Sequence, residues 1–233
     1  MNAQMPLTNL WPRIAMRLTQ GTAQLLQGKG KELAEIKWAD GEANTDSGFS
    51  RLACLCCLEA WDTIKGEYPE YTDITLQCKS PDITLCFSQG ETAMAAKIEL
   101  KQGKGKGLIP GSTIGNLDIN QPVIFCLRNE SDNTFRFRYE QYHACMGESD
   151  TDLFQDRTPR PQVNFQKMTD ILSPIEYIHK DKSDWVEHYA KCALNRIKGK
   201  KMSWQDDLTA AILRRFVEQT SVEEFTRMKN PLQ

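Results

Sequence analysis

Apolar residues recur every three or four positions at the start of the chain, every second position in its middle, and every three or four again toward its end. The first regime predicts a mostly helical segment over Leu7–Lys37, with Leu10, Ile14 and Leu18 spaced four apart and Gly28 and Gly30 as interruptions. Ala39–Gly48 is polar and glycine-containing, a loop. Ser50 is then placed to cap a second helix, RLACLCCLEAWDTIK, which ends before Gly66. That helix is apolar almost all round and is expected to be buried. From Tyr71 the period becomes two, and ITLQC, DITLCF, AKIELK, VIFCLR and FRFRYEQYH read as five strands. Between the third and fourth lies KQGKGKGLIPGSTIGNLDINQ, rich in glycine and expected to be a functional loop. Gly147–Pro174, acidic and then proline-containing, reads as a long excursion or lid. DWVEHYAKCALNRI, SWQDDLTAAILRRFVEQ and a short SVEEFTRMK return to helical spacing. Helices, then hairpins, then helices, with no internal repeat, predict a mixed α/β (α+β) domain rather than regular βα alternation.

Strand phase decides which side chains share a face. In DITLCF, Ile83, Leu85 and Phe87 point one way, and Asp82, Thr84 and Cys86 the other. In AKIELK, Ile98 and Leu100 face the core while Lys97, Glu99 and Lys101 share the opposite face. A carboxylate and an ammonium therefore stand side by side, roughly 7 Å apart at the backbone. If the two strands pair, Asp82 approaches Glu99 across the ladder. Two carboxylates meeting at one point repel unless a cation lies between them. Few ligands, all of them oxygen, suit Mg²⁺, which keeps waters and open positions for a phosphate. On the preceding helix, Glu59 falls between Leu52 and Leu55 on the wheel. Either it is buried and reaches the same site, or it sits on a rim with its head in water.

Composition narrows the classes. A formal charge of −2 and a pI near 6.0 give no global attraction to nucleic acid or membrane, so any anion-binding surface is local. No apolar run approaches bilayer length, and the first residues lack a secretory pattern; a cytoplasmic, intracellular protein is expected. The eight cysteines (Cys54, Cys56, Cys57, Cys78, Cys86, Cys126, Cys145 and Cys192) lie mostly in apolar runs and read as reduced thiols acting as small hydrophobes. Paired knuckles of zinc-binding type are absent. His143, His179 and His188 share no spacing that suggests a joint site and read as structural or exposed.

Asp82 in SPD, and Glu99 and Lys101 in IELK, with sixteen residues between Asp82 and Glu99, resemble the catalytic motif of the PD-(D/E)xK nuclease superfamily, the fold of most type II restriction endonucleases. The resemblance covers a core from about Arg51 to Tyr142 within one nuclease domain spanning 1–233, with helical additions at 1–50 and 175–233. It implies a central mixed sheet flanked by helices, and Mg²⁺ held by Asp82, Glu99 and the backbone carbonyl of Leu100. Lys101 would orient or activate the attacking water, and Glu59 would correspond to a helix carboxylate that many members place nearby. It also implies a sequence-specific enzyme that hydrolyses phosphodiester bonds of double-stranded DNA, acting as a homodimer with one site per strand.

Phosphate contacts have local candidates. KQGKGKG brings Lys104 and Lys106 onto a glycine-rich loop, and GSTIGN adds Ser112, Thr113 and Asn116. Lys97, Lys101, Lys104 and Lys106 make four lysines within ten residues against one acid, Glu99. A second cluster holds Lys191, Arg196, Lys198, Lys200 and Lys201. A solvated, solubilising surface is the competing reading of both clusters. Two other functions stay open: a repair, recombination or RNA-cleaving nuclease with the same chemistry, and a non-catalytic nucleic-acid-binding module whose Asp82, Glu99 and Lys101 are ordinary surface charges.

Overall fold

A computed structural model describes residues 6–36, 38, 48–71, 73–80, 82–113, 115–146, 161–199, 204–221, 223–224 and 227; the side chains at 193–199, 204–206 and 209 lie outside this description. The helices are α1 (Leu10–Gln27), α2 (Gly30–Glu35), α3 (Gly48–Ile64), α4 (Lys182–Gly199) and α5 (Trp204–Gln219). The strands are β1 (Thr75–Lys79), β2 (Ile83–Gln89), β3 (Thr92–Lys104), β4 (Leu108–Pro110), β5 (Pro122–Asn129), β6 (Thr134–Gln141), β7 (Gln162–Asn164) and β8 (Thr169–Asp170). Six strands form one mixed sheet in the order β1-β2-β3-β5-β6-β8, while β4 and β7 form a separate antiparallel pair. Within the large sheet only β3 and β5 run parallel. The expected α+β architecture, a mixed sheet flanked by helices, is the observed one.

Alternation builds the first core. Ile83, Leu85 and Phe87 of β2 and Ile98 and Leu100 of β3 point toward α1 and α3, where Leu10, Ile14, Leu18, Ala53 and Trp61 meet them. Trp61 lies edge-on to Phe87 with ring centroids 5.8 Å apart. Each such side chain removed from water contributes about 1.5–3 kcal/mol. The other face is covered only over its far half. Val123, Phe125 and Leu127 of β5 pack under Val163, Phe165, Met168, Trp185 and Tyr189. Covered on both faces, β5 reads as the unbroken apolar run VIFCL rather than an alternating one. Arg136 and Arg138 of β6 point to this second cover and stack over the Phe165 ring. Toward β1 the cover stops: Thr75, Gln77, Lys79, Ala93, Ala95 and Lys97 are exposed.

Several boundaries differ from expectation. Ser50 lies buried inside α3, which begins at Gly48, so it is not the cap. Nor is α3 buried all round, since Leu55 is 64% exposed and Arg51 and Glu59 share that outward side. The KQGK stretch continues β3 to Lys104, because β5 offers it a parallel partner that pairs Gly103 with Leu127 and Lys104 with Arg128. Of the excursion, 147–160 lies outside the described residues; the remainder forms β7, which pairs with β4, and β8, which joins the edge of the large sheet. Most of SVEEFTRMK also lies outside them. Cys54 and Cys78 form a disulfide joining α3 to β1, with Cα atoms 5.4 Å apart, so these two are not the reduced thiols expected. The other six cysteines take part in no disulfide, and burial pushes the Cys56 and Cys57 thiols up to about 11 and about 12. Among the described residues no helix is long and apolar enough to cross a membrane.

Candidate active site

The β2–β3 hairpin sets the geometry. Gly90, at φ +57°, turns the chain between the strands, and Ile83 falls opposite Ile98. Ile83–Ile98 is the last pair of this ladder, and the charge of Glu99 acts on the carboxyl of Asp82 just beyond it. Asp82 has left the strand and adopts φ +52°, a left-handed conformation that aspartate tolerates better than most residues. There its Oδ1 accepts a hydrogen bond from the backbone N–H of Leu100 at 3.3 Å. Pro81, the other half of the SPD match, lies outside the described residues.

Glu99 is surrounded by donors. Lys101 Nζ and Ser112 Oγ both donate to Oε1, the latter at 3.2 Å, and Gln121 Nε2 donates to Oε2 at 3.4 Å. The Glu99 and Lys101 side chains retain only 14% and 17% exposure, enough for solvent or a phosphate oxygen to reach them. Burial is the largest influence raising the Asp82 carboxyl above its ordinary value, and the negative charge of Glu99 adds to it. The Leu100 N–H, Lys101 and Lys97 oppose the rise. A carboxylate whose charge is disfavoured by a neighbouring carboxylate is the kind of group that a small divalent cation with oxygen ligands would stabilise. Asp82 and Glu99 would hold it. Among the described residues no three His, Cys, Asp or Glu side chains form a group that could hold a metal ion.

The parallel β3–β5 pair explains how the remaining groups arrive. Parallel neighbours need a crossover connection, and here residues 105–121 make it. Gln121 carries its side chain to Glu99 while its backbone carbonyl accepts the Tyr142 N–H at 3.0 Å. Buried Tyr142 accepts the Ser112 N–H on its hydroxyl at 2.7 Å, which aims Ser112 at Glu99. Only glycine permits this approach at position 111: a Cβ there would lie 1.8 Å from Tyr142 Oη and 2.5 Å from the Pro161 carbonyl oxygen. Burial drives the Tyr142 hydroxyl pKa far upward, so it stays a neutral phenol.

The remaining sequence candidates are scattered. Glu59 is exposed on α3, and its charge acts on Cys56 together with Lys29 and Glu32; the charges acting on Asp82 come instead from Glu99, Lys101 and Lys97. The rim alternative for Glu59 therefore describes it. Lys104 pairs with Glu130 at 2.6 Å and points away from Glu99 along β3's last turn of alternation. Lys106 is exposed. Thr113 closes a turn by accepting the Asn116 N–H at 3.0 Å, and Asn116 is exposed. Ser112, expected at a phosphate, is turned inward onto Glu99. Lys191 is exposed on α4; the side chains of Arg196 and Lys198, and Lys200 and Lys201 entirely, lie outside the described residues. Sequence reasoning missed Gln121 and Tyr142. The one available signal was Gln121's place immediately before Pro122, where a crossover loop delivers the chain into a strand.

No family model matches this chain, and no curated protein sequence matches it.

Proposed function

We propose that the chain is a Mg²⁺-dependent endonuclease that hydrolyses phosphodiester bonds of double-stranded DNA, with Asp82, Glu99 and Lys101 as its catalytic residues. The observation that carries this reading is the hydrogen bond that holds Asp82 on the Leu100 N–H, between Glu99 and Lys101, while Lys101 donates to Glu99. The resemblance of SPD and IELK to the PD-(D/E)xK motif supports it independently of that geometry.

Mg²⁺ supplies a bound water of lowered pKa and charge stabilisation for the phosphate. The protein's own groups do the rest. Asp82 and Glu99 are fixed before substrate arrives, Asp82 by the Leu100 N–H and Glu99 by Ser112 and Gln121. Pre-set orientation removes the entropy of collecting these groups during the reaction. Lys101, a donor with no acceptor lone pair of its own, orients the attacking water and offsets the negative charge that grows on the phosphate oxygens. The water oxygen bonds to phosphorus, giving up a proton to solvent, as the P–O bond to the leaving oxygen breaks and that oxygen takes a proton from solvent. Cutting both strands of a duplex takes two such sites, which two copies of the chain supply.

Digesting a long duplex of known sequence with purified protein, with and without Mg²⁺, and mapping the ends tests the assignment. Discrete, Mg²⁺-dependent fragments mark a sequence-specific enzyme. Preference for flaps, junctions, single strands or RNA assigns the same site to another substrate. Binding without cleavage on any substrate rejects the enzyme in favour of a binding module.

A further inference from the structure

Among the described residues, nothing covers one face of the half-sheet formed by β1, β2 and the first part of β3, directly beside Glu99. Its register is continuous: Lys79 faces Thr84, and Thr84 faces Lys97. Behind this row lie Gln77, Cys86 and Ala95, and behind those Thr75, Ser88 and Ala93. These are small or uncharged side chains on a twisted but even surface. Lys97 precedes Glu99 by two residues on the same face, and its charge acts on Asp82. Lys79 stands two strands away, about 10 Å from Lys97 at the backbone. The exposed row carries two lysines, Lys79 and Lys97, and no acid; Lys101 pairs with Glu99, and Lys104 points to the other side and pairs with Glu130. In a chain of formal charge −2, that local imbalance is the feature to explain.

We propose that this open face is the docking surface for a DNA phosphate backbone, with Lys79 and Lys97 as its phosphate contacts leading the strand toward Glu99. The proposal deepens the nuclease reading and rests on it. It moves the phosphate track from the glycine-rich loop, where Lys104 is engaged by Glu130, to the opposite side of the carboxylates. Charge complementarity selects the occupant: a polyanion gains from both lysines, whereas a second copy of the same face would set lysine against lysine. Small residues between the lysines let a sugar–phosphate chain lie against the strand backbones without displacing side chains.

Fluorescence anisotropy of a labelled 30-base-pair duplex in EDTA, over a series of KCl concentrations, reads the contacts directly. Each phosphate contact contributes about 0.9 to the slope of log affinity against log salt. Lys79→Ala/Lys97→Ala is expected to flatten that slope by about 1.8 and to weaken binding on the order of fiftyfold at 0.1 M salt. Ala95→Glu, an exposed change on the same face, is expected to weaken binding while leaving the thermal melt unchanged. Lys31→Ala, on α2, serves as the control and leaves the slope as it was. If the wild type binds and cleaves DNA but both face variants keep its slope and affinity, the surface assignment is overturned and the nuclease reading stands. A change in sedimentation without a change in salt slope means the face pairs two copies, and that also overturns it. If the wild type neither binds nor cleaves, the nuclease reading fails and this inference fails with it.

Discussion

The carboxylate of Asp82 and the backbone N–H of Leu100 are joined across two strands by a hydrogen bond of 3.3 Å. That bond crosses from a residue just outside β2 to the residue between Glu99 and Lys101. It fixes the acid at the head of one strand against the E-x-K triplet of the next. The left-handed backbone at Asp82 is what turns its side chain inward.

Burial and Glu99 both raise the Asp82 carboxyl above the ordinary carboxylate range. A divalent cation competes with the proton for that carboxylate. Metal affinity should therefore fall as pH drops through the raised value, a window above the ordinary carboxylate pKa. For stability the sign is the reverse: a raised acid binds more protons folded than unfolded, so it destabilises the fold as pH rises through that window. Asp82→Asn should remove most of the pH dependence of Mn²⁺ binding, measured by calorimetry between pH 4 and 7, and weaken binding at neutral pH.

Ser112 and Gln121 both donate to Glu99, which makes them supports of that carboxylate. Removing a group that orients a metal ligand commonly costs 10- to 100-fold in affinity or activity. Ser112→Ala and Gln121→Ala should each lower kcat by about that factor with little change in KM for DNA, and Ser112→Thr should restore most of the loss. A loss confined to KM would make them substrate contacts instead.

Gly111→Ala puts a methyl group into Tyr142 Oη and the Pro161 carbonyl. Overpacking of this kind costs about 1–3 kcal/mol. Tyr142→Phe/Gly111→Ala relieves one clash and leaves the other, so chemical denaturation should rank it between wild type and the single Gly111→Ala variant, provided the lost Ser112 hydrogen bond costs less.

The Cys54–Cys78 bond closes a loop of sequence separation 24. Chain-entropy arguments assign such a loop about 3.5 kcal/mol, within the usual 2–5 kcal/mol cost of losing a native disulfide. Reduction should lower the melting temperature by roughly 7–14 °C, at about 2–4 °C per kcal/mol for a chain of this size. Cys54→Ser/Cys78→Ser should match the reduced protein and show no response to reductant.

The strands most legible in the sequence were those with one covered face. In β2 and β6, alternation marked both the element and its direction, and the Ile83, Leu85 and Phe87 side turned out fully buried. Glu99 and Lys101 could be assigned to a common face for the same reason. Less legible was anything that depended on a partner distant in sequence. The extension of β3 through KQGK needs β5, and glycine and lysine carry no strand signal of their own. Glu59 lay within the apolar sector of a helical wheel, but the wheel cannot say which part of that sector the sheet covers; Leu55 beside it is exposed too. Gln121 reaches Glu99 across 22 residues of sequence through the crossover, and Tyr142 acts on the site only through its ties to Ser112 and Gln121. The disulfide joins two cysteines that sat in apolar runs, where burial and bonding look alike.

Single-turnover cleavage of a bound duplex by Lys101→Ala, alongside wild type, most directly tests whether Asp82, Glu99 and Lys101 form one hydrolytic centre. The variant keeps both carboxylates, so it should fold and bind DNA normally while its Mg²⁺-dependent cleavage falls by about a hundred- to a thousandfold, the scale of losing a group that stabilises transition-state charge. A variant that stays folded, binds DNA and cuts at the wild-type rate would contradict the account.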